Sequence, residues 1–250
     1  MIYPSAFDDD AAGQAARLSW HEGDMPYSEE FGDFYYSRAD GRAECRHVFL
    51  GGNDLPARFA AAVRPFVIGE LGFGTGLNFL ETWSAFEALA PEGARLRFHS
   101  FELRPLPRAA IARALSAWPD LGARTALLIA AWPDRPAGDI HVSCGSGMRQ
   151  VELTVHTGAA LDRLGTANFK ADAWFLDGFS PARNPDMWSE ELMRLVARRT
   201  APGGSFATYS AAGWVRRNLA AAGFAVEKRK GHAGKRDMSA GRLEAAADQA

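Results

Sequence analysis

Cysteine is nearly missing from this 250-residue chain: Cys45 and Cys144 stand far apart, in no metal-ligand spacing. The six histidines are scattered singly, so neither a zinc site nor a disulfide framework is expected, and a reducing cytoplasm is the default setting. No run approaches the roughly 18 consecutive apolar residues that a membrane-spanning helix needs. A secretory signal is not expected either, because Met1-Ile2-Tyr3-Pro4-Ser5 lead into Asp8-Asp9-Asp10 with no basic segment and no apolar core. Glycine (25 residues) and proline (13) follow no triplet period, which excludes collagen. Repeats are absent, and the alanine-rich end at 243–250 reads as a frayed tail. What remains is ordinary globular composition, 47% hydrophobic and 23% charged, at a length that suits one large domain with a small appendage.

Net charge is −2 and excludes no partner, but its distribution is uneven. Residues 1–40 carry nine acids against two arginines, whereas residues 211–242 carry eight Lys/Arg against two acids. Two readings stay open: solvated surfaces of opposite sign, or a local phosphate-binding patch on a neutral enzyme. On the second reading, the acidic segment lies away from any nucleic-acid path.

Along the chain, residues 1–62 read as an N-terminal hairpin extension, with Phe34-Tyr35-Tyr36 and Cys45–Leu50 as strands around a turn at Ala39-Asp40-Gly41. From residue 63 to 242 strands and helices alternate. Strands are expected at 66–68, 97–102 and 126–130, as more than one strand within 140–157, and at 173–176, 205–209 and 224–229, with a stop at Pro202-Gly203-Gly204. Alternation of this kind points to an α/β fold with a parallel, doubly wound sheet.

Glu70-Leu71-Gly72-Phe73-Gly74-Thr75-Gly76-Leu77-Asn78 falls where the first of these strands meets a helix. The spacing is G-x-G-x-G rather than the G-x-G-x-x-G of pyrophosphate-binding folds. Glu70, two residues before the first glycine, suits a cation better than a phosphate. A cofactor carrying a sulfonium and an ammonium fits, namely S-adenosylmethionine. Glu102 ends the next strand, where such folds place a carboxylate to accept ribose hydroxyls. Asp177-Gly178-Phe179-Ser180 follows the apolar run 173–176, at the sheet edge where ligands bind. There Asp177 can orient and deprotonate an amine while Phe179 stacks on a planar base. Trp83, Trp118, Trp174 and Trp188 read as core, Cys144 has no catalytic partners in sequence, and 231–236 lacks phosphate-loop spacing.

Glu70–Leu80, the run Asp172–Trp188, Gly213–Arg217, Lys228–Gly231 and Lys235–Met238 together resemble the tRNA 5-methylaminomethyl-2-thiouridine methyltransferase family, the methyltransferase half of the bifunctional MnmC enzymes. The resemblance implies a Rossmann-like class I S-adenosylmethionine-dependent methyltransferase. It would convert the 5-aminomethyl group of a modified wobble uridine, in a tRNA anticodon stem-loop, to 5-methylaminomethyl. Position by position, Glu70, Gly72, Phe73, Gly74, Thr75, Gly76, Asn78 and Glu102 would hold the cofactor. Asp177 would act on the amine, Phe179 and Ser180 would meet the base, and Arg216, Arg217, Lys228, Arg229, Lys230, Lys235 and Arg236 would meet phosphates. The family's usual Gly-Asp pair at the adenine loop is here Gly158-Ala159. No flavin and no metal are expected in this chain, and a flavin-dependent oxidoreductase is expected as a separate or fused partner. Competing expectations are an N-methyltransferase of a small amine metabolite and a non-catalytic tRNA-binding scaffold.

Overall fold

A computed structural model describes residues 16–37, 40–145, 149–232 and 237–244. It opens with a small antiparallel sheet: β1 (Leu18–His21), β2 (Met25–Ser28) and β3 (Asp33–Phe34). Next come α1 (Gly41–Glu44), a π-helical segment (Cys45–Gly51) and α2 (Leu55–Ala60). The alternating part then runs β4 (Phe66–Leu71), α3 (Leu77–Leu89), β5 (Arg95–Glu102), α4 (Arg108–Leu115), α5 (Gly122–Ala131), β6 (Ile140–Cys144), β7 (Gln150–Thr157) and α6 (Ala160–Thr166). It finishes with β8 (Ala171–Leu176), α7 (Glu190–Arg198), β9 (Thr200–Thr208), α8 (Gly213–Ala221), β10 (Phe224–Lys230) and β11 (Asp237–Leu243).

The large sheet has the order β10-β11-β9-β8-β4-β5-β7-β6. Its centre, from β9 to β7, is parallel, and antiparallel strands flank it on both sides. Strand order reverses between β4 and β8, and an open α/β sheet binds ligands outside the carboxyl ends of its strands at such a point.

Two apolar clusters cover the two faces, because successive side chains of a strand point to opposite sides. On β8, Ala173 and Phe175 join one cluster with Ile68, Phe98, Phe79 and Trp83. Trp174 and Leu176 join the other with Leu71, Phe101, Leu192 and Val215. Gly69 has a packing reason: a Cβ there would lie 2.4 Å from the Trp174 ring, which crosses β4 at that position. Trp83, Trp174 and Trp188 are fully buried, as a core reading requires.

Four local expectations are corrected. The hairpin is not at 34–50; it is formed upstream by β1 and β2. Asp40 instead caps α1, accepting from the Ala43 N–H at 3.0 Å, and the helix continues into the π-helical turn because Cys45, Val48, Phe49 and Leu50 face the main core. Asp-Gly serves a helix start as readily as a hairpin turn, since a carboxylate can accept from the first free N–H groups. Residues 126–130 lie in α5, not in a strand; Leu128 is buried while its neighbour Leu127 is 53% exposed, a one-sided helical pattern. Short apolar runs rich in Ala and Leu do not reveal their period. Pro202-Gly203-Gly204 is not a stop but an irregularity within β9, between the pairs Ala171–Thr200 and Ala173–Ser205. Finally, β11 was not foreseen, and Leu243, assigned to the tail, pairs with Phe224. The rest of the tail from 245 lies outside the described residues. Among the described residues no helix is long and apolar enough to cross a membrane, and no group of three His, Cys, Asp or Glu could hold a metal ion.

Candidate functional site

The carboxyl ends of β4, β5 and β8 open into a cleft of about 690 Å³, within the range of small-molecule sites. Its floor is the glycine-rich turn. Gly72, Gly74 and Gly76 all have left-handed φ, at +90°, +54° and +80°. Their surroundings differ. A Cβ on Gly72 would lie 2.5 Å from the Asp177 carbonyl oxygen, and one on Gly76 would lie 2.8 Å from the Phe73 ring. At Gly74 the nearest obstacle is the Tyr35 ring at 3.3 Å, and the residue lines the cleft. So Gly72 and Gly76 let chain segments approach each other, while Gly74 leaves room for a ligand. Phe73 is buried, stacked on Trp132 at 4.9 Å, and anchors the turn from below. Thr75 is buried at the cleft wall.

Three of the expected side chains come together around this turn. Glu102 accepts from the backbone N–H of Gly74 at 3.1 Å and of Arg104 at 3.0 Å, and it lines the cleft. Asp177 follows β8, its N–H bonded to the Leu71 carbonyl at 3.1 Å, so the acid stands beside the turn. Asn78 donates to Asp177 Oδ2 at 2.7 Å and to Glu70 Oε1 at 3.0 Å. Glu70 itself and Gly76 do not line the cleft. Glu70 is fully buried and takes a further bond from Ser100 at 2.6 Å. Burial pushes its carboxyl well above the usual range, the charges of Asp177 and Glu102 add to this, and the bonds from Ser100 and Asn78 oppose it.

The acceptor side is walled by residues from the N-terminal sheet. Phe31 stacks on Phe179 at 4.8 Å, Tyr35 meets Phe179 edge-on at 5.2 Å, and Asp33 accepts from the Ser180 N–H at 3.1 Å. Arg104 and Glu30 form an ion pair beside them. Tyr209 closes the far side by donating to the Gly178 carbonyl at 2.7 Å. Burial raises both Tyr35 and Tyr209 well above their ordinary values, with Glu102 adding for Tyr35 and Asp177 for Tyr209, so both stay neutral donors.

Reading the sequence missed Glu30, Phe31, Asp33, Tyr35, Glu44 and Asp186 in the cleft wall. The signal for the first four was the dense aromatic and acidic character of 22–36, which was assigned to an appendage. Glu30 and Asp33 of the acidic segment thus stand on the cleft wall. With Glu44, Glu102, Asp177 and Asp186 they make six carboxyl groups on a cleft to which no Lys, Arg or His side chain contributes among the described residues.

The basic candidates are elsewhere, and several are engaged. Lys228 pairs with Asp237 at 2.8 Å, and Arg229 with Glu227 at 2.5 Å and the Gly52 carbonyl at 3.2 Å. Arg216 donates to the Ala211 carbonyl at 3.0 Å, Arg217 lies beside Gly213, and the Lys230 carbonyl bonds His47 at 2.7 Å. None of these five lines the cleft. Lys235 and Arg236 lie outside the described residues.

The sequence pattern of a family described as S-adenosyl-L-methionine-dependent methyltransferase matches residues 119–244, just over half of the chain. The chain belongs to that methyltransferase family. Among its relatives, the tRNA 5-methylaminomethyl-2-thiouridine biosynthesis bifunctional protein MnmC of Chromohalobacter salexigens is 50% identical over 236 residues, which cover 92% of this chain and 33% of that protein. The protein of the same name from Chromobacterium violaceum is 48% identical over 228 residues, covering 90% of this chain and 34% of its own. This methyltransferase therefore spans about a third of the length of the curated relatives it matches. The solved structure of MNMC2 from Aquifex aeolicus shares the fold, with a TM-score of 0.67 at 23% identity, over 94% of this chain and 72% of that one. For this methyltransferase the glycine turn, the open space at Gly74, Glu102 and the excess of carboxyl groups suit a cofactor with two cationic centres and no phosphate. At the loop after β7, the Gly158-Ala159 pair puts Ala159 on the cleft wall beside Ala160 and Leu161, so no carboxylate stands there.

Proposed function

We propose that this methyltransferase transfers a methyl group to the primary amine of a 5-aminomethyl group on a modified wobble uridine of tRNA, giving 5-methylaminomethyl-(2-thio)uridine. The observation that carries the reading is the set of six carboxyl residues lining the cleft, Asp177 among them, with no basic side chain on the cleft wall among the described residues. Such a site favours a cationic ammonium and excludes phosphate, so a nucleic-acid substrate would extend only its modified base inward. The names of the relatives, at 45–50% identity, point to the same nucleoside.

When bound, S-adenosylmethionine supplies an electrophilic methyl group on a positively charged sulfur. The chain's own residues then act as follows. The Glu102 carboxylate, already fixed by two backbone N–H groups, would accept the ribose hydroxyls. The glycine turn would give the amino-acid end close backbone approach at Gly74. Asp177 would receive the acceptor ammonium, take its proton and hold the freed lone pair towards the methyl group that the cofactor supplies. The aromatic wall of Phe31, Tyr35 and Phe179 excludes water and carries the base. Phosphates meet Arg216, Arg217 and Lys230 outside the cleft, and Lys235 and Arg236 are further candidates for them. Two cysteines without a disulfide, Cys45 buried and Cys144 half-buried, fit a reducing cytoplasm, where tRNA is modified.

The test is incubation with labelled cofactor and tRNA bearing 5-aminomethyl-2-thiouridine, followed by digestion and nucleoside analysis. Label in 5-methylaminomethyl-2-thiouridine is expected, with the free nucleoside and simple amines labelled far more slowly. Equal labelling of free amines would replace tRNA by a small amine as the substrate. Tight cofactor binding without any transfer would leave a scaffold.

A further inference from the structure

Asn78 occupies the first turn of α3 and lies between carboxyl groups from two neighbouring strands. Its Nδ2 is 3.0 Å from Glu70 Oε1 and 2.7 Å from Asp177 Oδ2. The amide nitrogen carries two hydrogens and faces both oxygens, one hydrogen to each; Glu70, pushed by burial towards the neutral form, still accepts through Oε1. The choice of side chain is narrow. A hydroxyl has one hydrogen, an aspartate has none, and a lysine would bring a second charge into a site whose base is fully buried. Glu70 gives the bridge a rigid foot, because it is 0% exposed and also held by Ser100 at 2.6 Å. The resulting line Ser100–Glu70–Asn78–Asp177 ties β5, β4, α3 and β8 together beneath the cleft.

We propose that Asn78 is a positioning residue, whose bridge from Glu70 fixes the plane of the Asp177 carboxylate against the acceptor amine. The inference rests on Asp177 being the acid that faces the amine. Without the bridge, the Asp177 carboxylate loses the donor that ties its orientation to Glu70, and two neighbouring carboxyl groups lose their shared donor. Alignment of the amine for in-line transfer is then lost, a misplacement on the order of 1 Å being enough to cost about 100-fold.

Three variants of the full chain test this: Asn78→Ala, Asn78→Ser and Asn78→Asp. The ionisable groups around Asp177 are Glu70 on β4, Cys45 on the π-helical segment, Tyr209 after β9, and Glu30, Asp33, Glu44, Glu102 and Asp186 at the cleft. Asn78→Ala and Asn78→Ser add and remove no ionisable group; they take a donor from Asp177 and from Glu70 together, so a change in titration reports the loss of the shared bridge. Carbon-13 NMR of the aspartate carboxyls, assigned with Asp177→Asn, gives the midpoint at which Asp177 takes a proton. In Asn78→Ala that midpoint should rise by about one pH unit, since a donor to the charged form is gone. The acid limb of the kcat profile should follow it. Turnover should fall about 10- to 100-fold while cofactor affinity by calorimetry stays within about threefold. Asn78→Ser, with one donor left, should fall between, and it carries the measurement if Asn78→Ala does not fold. Asn78→Asp, nearly the same shape without the donor, should lose as much turnover as Asn78→Ala.

An unmoved midpoint with retained turnover overturns the proposal, as does full activity in Asn78→Asp. The NMR titration needs neither cofactor nor tRNA. If tRNA is not methylated but the midpoint moves, the substrate assignment fails and the role of Asn78 stands. If tRNA is methylated and neither midpoint nor turnover changes, the role of Asn78 fails alone.

Discussion

Gly72 and Gly74 are two residues apart, both glycine and both left-handed, yet adding one methyl group should do different things at each. At Gly74 (φ +54°) the new Cβ of Gly74→Ala would meet only the Tyr35 ring at 3.3 Å and otherwise enter the cleft. Alanine in the left-handed region costs about 1–2 kcal/mol, and for a chain of this size each kcal/mol lowers Tm by about 2–4 °C. Gly74→Ala should therefore melt about 2–8 °C lower, while cofactor affinity drops at least about tenfold because the methyl group occupies ligand space. At Gly72 (φ +90°) the Cβ would stand 2.5 Å from the backbone oxygen of Asp177, where no flexible side chain can yield. Overpacking adds about 1–3 kcal/mol to the backbone cost, so Gly72→Ala should lose about 2–5 kcal/mol and melt about 4–20 °C lower. Its surviving folded fraction should turn over slowly, because the end of β8 is displaced. Calorimetric cofactor titrations and thermal melts of both variants check this. Unchanged cofactor affinity in Gly74→Ala would refute the placement of the cofactor over the turn. Equal melting losses in the two variants would refute the distinction drawn between them.

Asp177→Asn should cut turnover severely and leave cofactor affinity within a few-fold; full turnover across the pH range would remove its role with the amine. Arg216→Ala combined with Arg217→Ala should flatten the slope of log tRNA affinity against log salt by about 1.4–1.8, and Lys228→Ala, whose partner is Asp237, by less; an unchanged slope in the double variant would reduce the positive stretch to a solvated surface. His99, stacked on Phe169 at 4.1 Å, is lowered by burial to about 4 from 6.5, with the charge of His156 adding to this. The unfolded chain thus binds the extra proton between these values. Stability should be full above about pH 6.5 and fall by up to about 3 kcal/mol towards pH 4; denaturant melts across this range should show a smaller decline in His99→Gln.

Ala159 invites the opposite kind of test, a gain. The resemblance to the methyltransferase family implies an acid at this position, and Ala159→Asp would place a carboxylate on the wall beside Ala160 and Leu161. Cofactor affinity by calorimetry should rise, and an unchanged or lower affinity would mean that the adenine is held in another part of the cleft.

By itself the sequence determined the class of fold and the chemical sense of the site. Alternating strands and helices, glycines at 72, 74 and 76, and acids at two strand ends are local patterns, and local patterns are written in consecutive residues. The same is true of the long run around Asp177, whose family likeness needs no coordinates. Only the tertiary structure decided what those residues touch. Glu70, next to the glycines in sequence, is turned under the cleft and reaches Asp177 through Asn78, because β4 is buried on both faces. Glu30, Phe31, Asp33 and Tyr35 reach the site across long stretches of chain, so nothing in their own neighbourhood announces it. The errors at 34–50 and 126–130 have the same origin. Asp-Gly and short Ala/Leu runs allow either strand or helix, and the choice is made by which faces find the core. Charge was legible only as a sum, since Lys228 finds Asp237 only when β10 pairs with β11 after the chain has folded, whereas Arg229 meets Glu227 two residues away along β10 itself.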